Sequence, residues 1–112
     1  LNPKTARSQF LRGMVWAIGL ALHEHTERDH RSGRVVTRDL VDYHVPVNAD
    51  VPNLDIIIVP EHDPYVSQVG AKGAGELGIT GGAAAIANAI HDATGKRVRK
   101  LPITLDRVLE LA

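Results

Sequence analysis

Leu11, Met14, Val15, Ile18 and Leu22 follow the i, i+3, i+4, i+7 spacing of a single helical face. This stripe predicts the longest element of the chain, a helix over residues 8–28. Ser8 is its expected N-cap, because a serine hydroxyl accepts from an unpaired first-turn N–H. Gly13 and Gly19 lie inside the same stretch. Each costs a helix interior about 1 kcal/mol relative to alanine, so small residues here predict a second backbone packed close against the helix. A polar stretch from His23 to Ser32 then leads to a turn at Ser32-Gly33.

The remaining elements are short. Val35-Val36-Thr37 is β-branched and reads as a brief strand. Pro46, Pro52, Pro60 and Pro64 each remove a backbone donor and fix φ, so the middle of the chain is irregular. Between them, Asp55-Ile56-Ile57-Ile58-Val59 reads as a strand with both faces covered. Residues 65–69 read as a further extended piece, and a glycine-dense loop follows from Gly70 to Gly78. Gly81 to Thr94 is Ala-rich and helical, with Gly95 in the position that ends a helix in left-handed conformation. Val98 to Leu101 reads as a last strand, and Leu105 to Leu111 as a short helix capped by Thr104. The expected fold is α+β, with a long amphipathic helix and an Ala-rich helix packed on a small mixed sheet.

Composition narrows the function. The 112 residues fit one domain, and 44% hydrophobic with 23% charged residues is a globular balance. Lys and Arg total 13, as do Asp and Glu, which argues against a basic nucleic-acid binder or a polybasic membrane anchor. An aromatic content of 4% is too low for a single-strand stacking platform. The chain has no cysteine, which excludes disulfides, thiol catalysis, Cys–zinc sites and Fe–S ligation within it. No apolar run approaches the roughly 18 residues of a membrane span. The first residues carry no signal peptide and no initiator Met, so the chain is expected to be a processed product or a piece of something longer, of unspecified compartment.

Gly73-Ala74-Gly75-Glu76-Leu77-Gly78 matches G-x-G-x-x-G before a helix. A dinucleotide turn needs a full βαβ unit, which the remaining length does not supply, and Glu76 would repel a pyrophosphate. Two readings of Glu76 remain. Flanking glycines let the backbone approach a ligand, and a helix N-terminus favours the anionic form of a general base. The commoner arrangement is an acid that merely serves its own helix terminus. His23 and His25 lie two apart and do not share a helix face, and the other four histidines lie in unrelated segments, so structural or surface roles are expected. Lys96-Arg97-Val98-Arg99-Lys100 reads as a solvated strand with outward charges; no P-loop is completed there.

Taken in order, several motifs carry a resemblance. Asn2-Pro3, Gln9 and Gly19-Leu20-Ala21-Leu22-His23-Glu24 come first, followed by Asp42-Tyr43-His44-Val45-Pro46 and Asp50-Val51-Pro52. Lys72-Gly73-Ala74-Gly75-Glu76, residues 84–90, Asp92-Ala93-Thr94-Gly95 and Leu101-Pro102-Ile103-Thr104 complete the series. Together they resemble the end of the large, molybdopterin-binding subunit of the xanthine dehydrogenase and aldehyde oxidoreductase family, closest to the bacterial aldehyde oxidoreductase type. Arg12 and Ala17 depart from it, standing where the family usually has further glycines.

The resemblance implies that residues 1–112 are one C-terminal segment of a molybdenum-cofactor-binding domain. Glu76 would be the general base toward a water-derived oxygen in the oxidation of aldehydes or the hydroxylation of N-heterocycles. Gln9 would contact the molybdopterin, and Gly73 and Gly75 would bring Glu76 to the metal, which the cofactor's own dithiolene holds. Fe–S and FAD groups would sit on other domains or subunits. The isolated piece is then expected to be inactive. Its thin core is expected to be covered by the rest of the large subunit, or by a second copy of itself. The alternative is a free-standing α/β partner-binding module without catalysis.

Overall fold

The computed structural model describes residues 2–51 and 53–110. Its first helix, α1, spans Pro3–Leu22, so it starts and stops earlier than the apolar stripe alone predicts. The start is set by Asn2 and not by Ser8. The Asn2 side chain accepts from the backbone N–H of Lys4 (3.1 Å) and Thr5 (3.4 Å), and Pro3 occupies the first helical position, where a missing N–H costs nothing. At the other end the Gly19 carbonyl accepts from both His23 (2.9 Å) and Glu24 (2.8 Å), which closes the helix before the polar stretch.

The most deeply buried positions of α1 are small ones. Gly13, Ala17 and Ala21 lie four residues apart on one face, and Ala17 and Ala21 are 1% and 0% exposed. Each receives one piece of the later chain. Gly13 meets Gly78, in the single-turn helix α2 (Leu77–Thr80). Ala17 meets Gly82, the first residue of α3 (Gly82–Thr94). The Ala21 carbonyl accepts from the N–H of Ile103 at 2.6 Å, and Ile103 is 3% exposed.

Glycine is required at these contacts. A Cβ on Gly78 would stand 2.7 Å from the Phe10 carbonyl oxygen and 3.1 Å from the Met14 nitrogen. A Cβ on Gly82 would collide with that of Ala17. The close backbone neighbour expected at Gly13 is therefore present. At Gly19 the neighbours are side chains, since a Cβ there would meet the Glu24 carboxylate and lie 2.9 Å from Pro46 Cδ. Tyr43 donates its hydroxyl to Glu24 Oε2 at 3.0 Å. The motif residues Gly19, Glu24, Tyr43 and Pro46 thus form one packed knot where the chain leaves α1.

The Ala-rich helix ends as expected, with Gly95 at φ 71°. Helix α4 (Leu105–Leu109) follows Thr104 as expected, although the Thr104 side chain accepts no capping hydrogen bond. The end expected for it at Leu111 lies outside the described residues.

The expected sheet is absent among the described residues, which corrects the α+β reading to a helical and irregular fold. One antiparallel bridge, Arg28 with Val35, is all that remains of the strand expected at 35–37. The 55–59 run, expected to be covered on both faces, is open, with Ile57 85% and Val59 77% exposed. Residues 65–69 form turns and Val98–Leu101 pairs with nothing. The physical reason is common to all of them. A strand exists only where a second segment meets its N–H and C=O groups; the 35–37 run meets residues 27–29 only at this bridge, too briefly for a ladder, and among the described residues the other runs show no backbone pairing with another segment. What holds the 55–59 run is Arg7, which pairs with Asp55 (2.6 Å) and donates to the Ile56 carbonyl (3.1 Å). The Lys96–Lys100 segment is solvated as expected, but as coil. The radius of gyration is 17.7 Å, against about 13 Å for a compact domain of this length.

Two outcomes are expected. Gly78→Ala should destabilise the protein by about 1–3 kcal/mol, because the new Cβ meets main chain that cannot rotate away; an unchanged Tm would contradict this contact. The Tyr43 hydroxyl sits above its ordinary value near 10, chiefly because of its hydrogen bond to Glu24 and then because of burial. That contact therefore stabilises the fold at neutral pH and is lost as pH rises through the raised value. In Glu24→Ala, an NMR titration should show Tyr43 returning downward.

Candidate functional site

Glu76 stands at the turn between the glycine loop and α2, at φ −107° and ψ −5°. Its carbonyl accepts from the Ile79 N–H (3.2 Å) and the Thr80 hydroxyl (3.4 Å). Its carboxylate makes no capping hydrogen bond and is exposed. The helix behind it is a single turn, and Gly81 separates that turn from α3. An acid engaged with its own helix terminus is therefore not what the side chain does here.

The loop before Glu76 is tethered at two points. Gly78, two residues after Glu76, is seated on Gly13. Lys72 pairs with Asp63 at 3.1 Å. The Asp63 carboxyl is held below its usual range, first by the Tyr65 N–H and then by Lys72. Between these anchors Gly75 lies beside the exposed side of α1. A Cβ placed on it would be 3.6 Å from Gln9 Oε1 and 3.4 Å from Arg12 Nη2. Gln9 and Gly75, both singled out from the sequence, are thus brought together. Gly73 is not part of that contact, since nothing lies within 4 Å of a Cβ built on it.

Arg12, which the sequence marks only as a departure from the family pattern, also lies against this loop. The available signal for this is its position three residues after Gln9, which puts both on one helix face. Gln9, Arg12 and the glycine backbone together present an amide, a guanidinium and free main chain. None of these is a soft or imidazole metal ligand. Among the described residues no group of three or more His, Asp or Glu side chains is placed to hold a metal ion. Such a donor set suits an oxygen-rich, anionic organic group and not a bare cation.

Over 98% of its length the chain is 51% identical to the aldehyde oxidoreductase molybdenum-binding subunit of Escherichia coli, and it spans 15% of that protein. It is 41% identical, over the same share, to the putative xanthine dehydrogenase molybdenum-binding subunit of that organism, of which it spans 14%. Residues 1–52 match the molybdopterin cofactor-binding domain. The chain belongs to the xanthine dehydrogenase and aldehyde oxidoreductase family of molybdenum-binding subunits. This subunit segment also shares its fold with solved structures. It matches quinoline 2-oxidoreductase from Pseudomonas putida over 97% of its own length and 14% of that chain, with a TM-score of 0.85 and 31% identity. A Cu,Mo-CO dehydrogenase, at 24% identity and a TM-score of 0.85, shares the fold. No helix among the described residues is long and apolar enough to cross a membrane.

Gly75→Ala should change stability by less than about 0.5 kcal/mol, because its Cβ would meet only ordinary contacts with two exposed side chains. A loss in thermal unfolding as large as that of Gly78→Ala would mean that Gly75 is packed more tightly than this geometry allows.

Proposed function

We propose that the segment is the C-terminal portion of a molybdopterin-binding subunit in which Glu76 is the general base and Gln9 contacts the cofactor. The parent enzyme oxidises aldehydes or hydroxylates N-heterocycles of the xanthine type, with oxygen from water. The observation that carries this reading is an uncapped Glu76 carboxylate on a turn locked to the helix that bears Gln9. The identity to molybdenum-binding subunits over nearly the whole segment supports it.

The residues fit the group. Gln9 offers an amide donor and acceptor to the pterin edge, and Gly75 leaves the room that a side chain would take. Gly73 keeps the loop backbone open next to Glu76. When bound, the molybdenum cofactor supplies the redox chemistry. The chain itself supplies proton handling and position. Glu76 would accept a proton at its carboxylate from the water-derived nucleophile. The Gly13–Gly78 contact fixes where that carboxylate stands. Fe–S and FAD partners lie on other domains or subunits in this reading, and nucleic acid and membrane have no part in it.

The rest of the large subunit is the proposed cover for the open 55–59 run and for the groove of about 450 Å³ that it forms with Phe10, Met14 and Gly78. The extended shape speaks against a free-standing module, because such a module would have to bury these faces itself.

In the full-length subunit, Glu76→Gln should lower kcat by about 10² to 10⁴-fold, the usual worth of a positioned base, while the molybdenum content stays at the wild-type level. Near-normal turnover by that variant would refute the assignment. Expressed alone, the 112 residues should retain no stoichiometric molybdenum and oxidise no aldehyde.

A further inference from the structure

We infer that Arg12 is a second cofactor-binding side chain of this subunit, its guanidinium donating to an anionic oxygen of the pterin cofactor, namely the phosphate, beside Gly75. The inference rests on the reading that Gln9 and Glu76 mark the cofactor edge.

Three observations carry it. Arg12 Nη2 and Gln9 Oε1 converge on the same point, 3.4 Å and 3.6 Å from where a Gly75 Cβ would be. The two side chains come from one face of α1, three residues apart, so the convergence is built into the helix. Among the described residues the guanidinium also has no hydrogen-bond or ion-pair partner. The ion pairs among the described residues are Arg7 with Asp55 and Lys72 with Asp63, and no hydrogen bond from Arg12 to the protein is formed there. Arg7, Arg97 and Arg107 donate to protein oxygens, while Arg12 shares its freedom with Arg28, Arg31, Arg34, Arg38 and Arg99; what sets Arg12 apart is its place against Gln9 and the Gly75 backbone.

A guanidinium presents five N–H donors in a planar fork and accepts nothing, so its natural ligand is a carboxylate or phosphate bound through two oxygens. At this position the fork projects over a loop stretch that lacks a side chain, one residue before the proposed base. The residue is also a departure of this chain, standing where the family resemblance leads to glycine. Glycine offers no donor, so the contact would be an addition to the shared cofactor edge and not a replacement of one.

The test uses the full-length subunit purified with its partner subunits, as wild type and as Arg12→Gln, Arg12→Lys and Glu76→Gln. Molybdenum per subunit is measured by mass spectrometry after prolonged dialysis, together with the fluorescent pterin released on oxidation. A charge-assisted hydrogen bond of this kind is worth about tenfold or more, so Arg12→Gln should retain about tenfold less of both. Arg12→Lys keeps the charge without the fork and should fall between that variant and wild type. Arg12 is exposed, so thermal unfolding of the emptied variants should match that of wild-type subunit stripped of its cofactor. Wild-type retention of cofactor in Arg12→Gln would overturn the inference while leaving the function proposed above intact. So would retained cofactor with a KM raised only for a carboxylated aldehyde, which would make the ligand a substrate anion. A displaced pH–rate profile with retained cofactor would instead make Arg12 a partner of Glu76, and would equally overturn it. A wild-type subunit without molybdenum or pterin would sink the proposed function itself, and Glu76→Gln with full cofactor and normal turnover would sink only the base.

Discussion

Everything in the site depends on two backbones touching. Gly13 in α1 and Gly78 in α2 approach so closely that a Cβ on Gly13 would stand 3.0 Å from the Gly78 Cα. Dispersion falls off steeply with distance, so main chain in direct contact is both attractive and intolerant of any added atom. A helix side surface is the most rigid element this chain has, and docking the loop onto it transfers that rigidity to Glu76 two residues away. Gln9 and Arg12 are carried by the same helix, one turn before and beside the contact. The relative placement of the polar groups is thus set by one steric constraint and not by hydrogen bonds among them.

The same logic extends along α1. Gly13, Ala17 and Ala21 receive Gly78, Gly82 and Ile103 in turn, so the later chain is laid along the helix like a strap. Small residues allow close approach but bury little area each, and at about 25 cal/mol per Å² such a seam contributes modestly to stability. The buried hydrophobic side chains among the described residues are Ala17, Ile18, Ala21 and Ile103. That is a narrow core beneath an extended outline, and Ile57, Val59 and Tyr65 remain open to solvent. These features agree with a segment that spans about 15% of the length of the curated relatives it matches.

Much of the helical content was legible in the chain. Gly95 ends α3 where a left-handed residue is expected, and Gly13 marks the close backbone neighbour expected of it, whereas Gly19 is packed by side chains instead. The start of α1 is written in Asn2-Pro3, whereas the apolar stripe points to Ser8. The strands expected at 55–59 and 98–101 do not form, because a β-branched apolar run reports only a willingness to pair. Whether it pairs depends on a second segment, and the run contains no information about that segment. Glu76 and Gln9 stand out as a pair of candidates only through motif order. Their spacing of 67 positions says nothing about proximity.

Sequence by itself determined the chemistry on offer: an acid among glycines, an amide and a guanidinium three apart on a helix, no thiol anywhere, and a family signature that runs the length of the chain. Those are local properties, written in residue identity and helical period. Only the tertiary structure decided that Gly75 lies beside Gln9 and Arg12, that the Glu76 carboxylate is not spent on its own helix, and that the apolar runs stand unpaired. Each of these is a contact between segments far apart in the chain. Such contacts follow from which surfaces can approach without a side chain between them, and that is a property of the packed backbone.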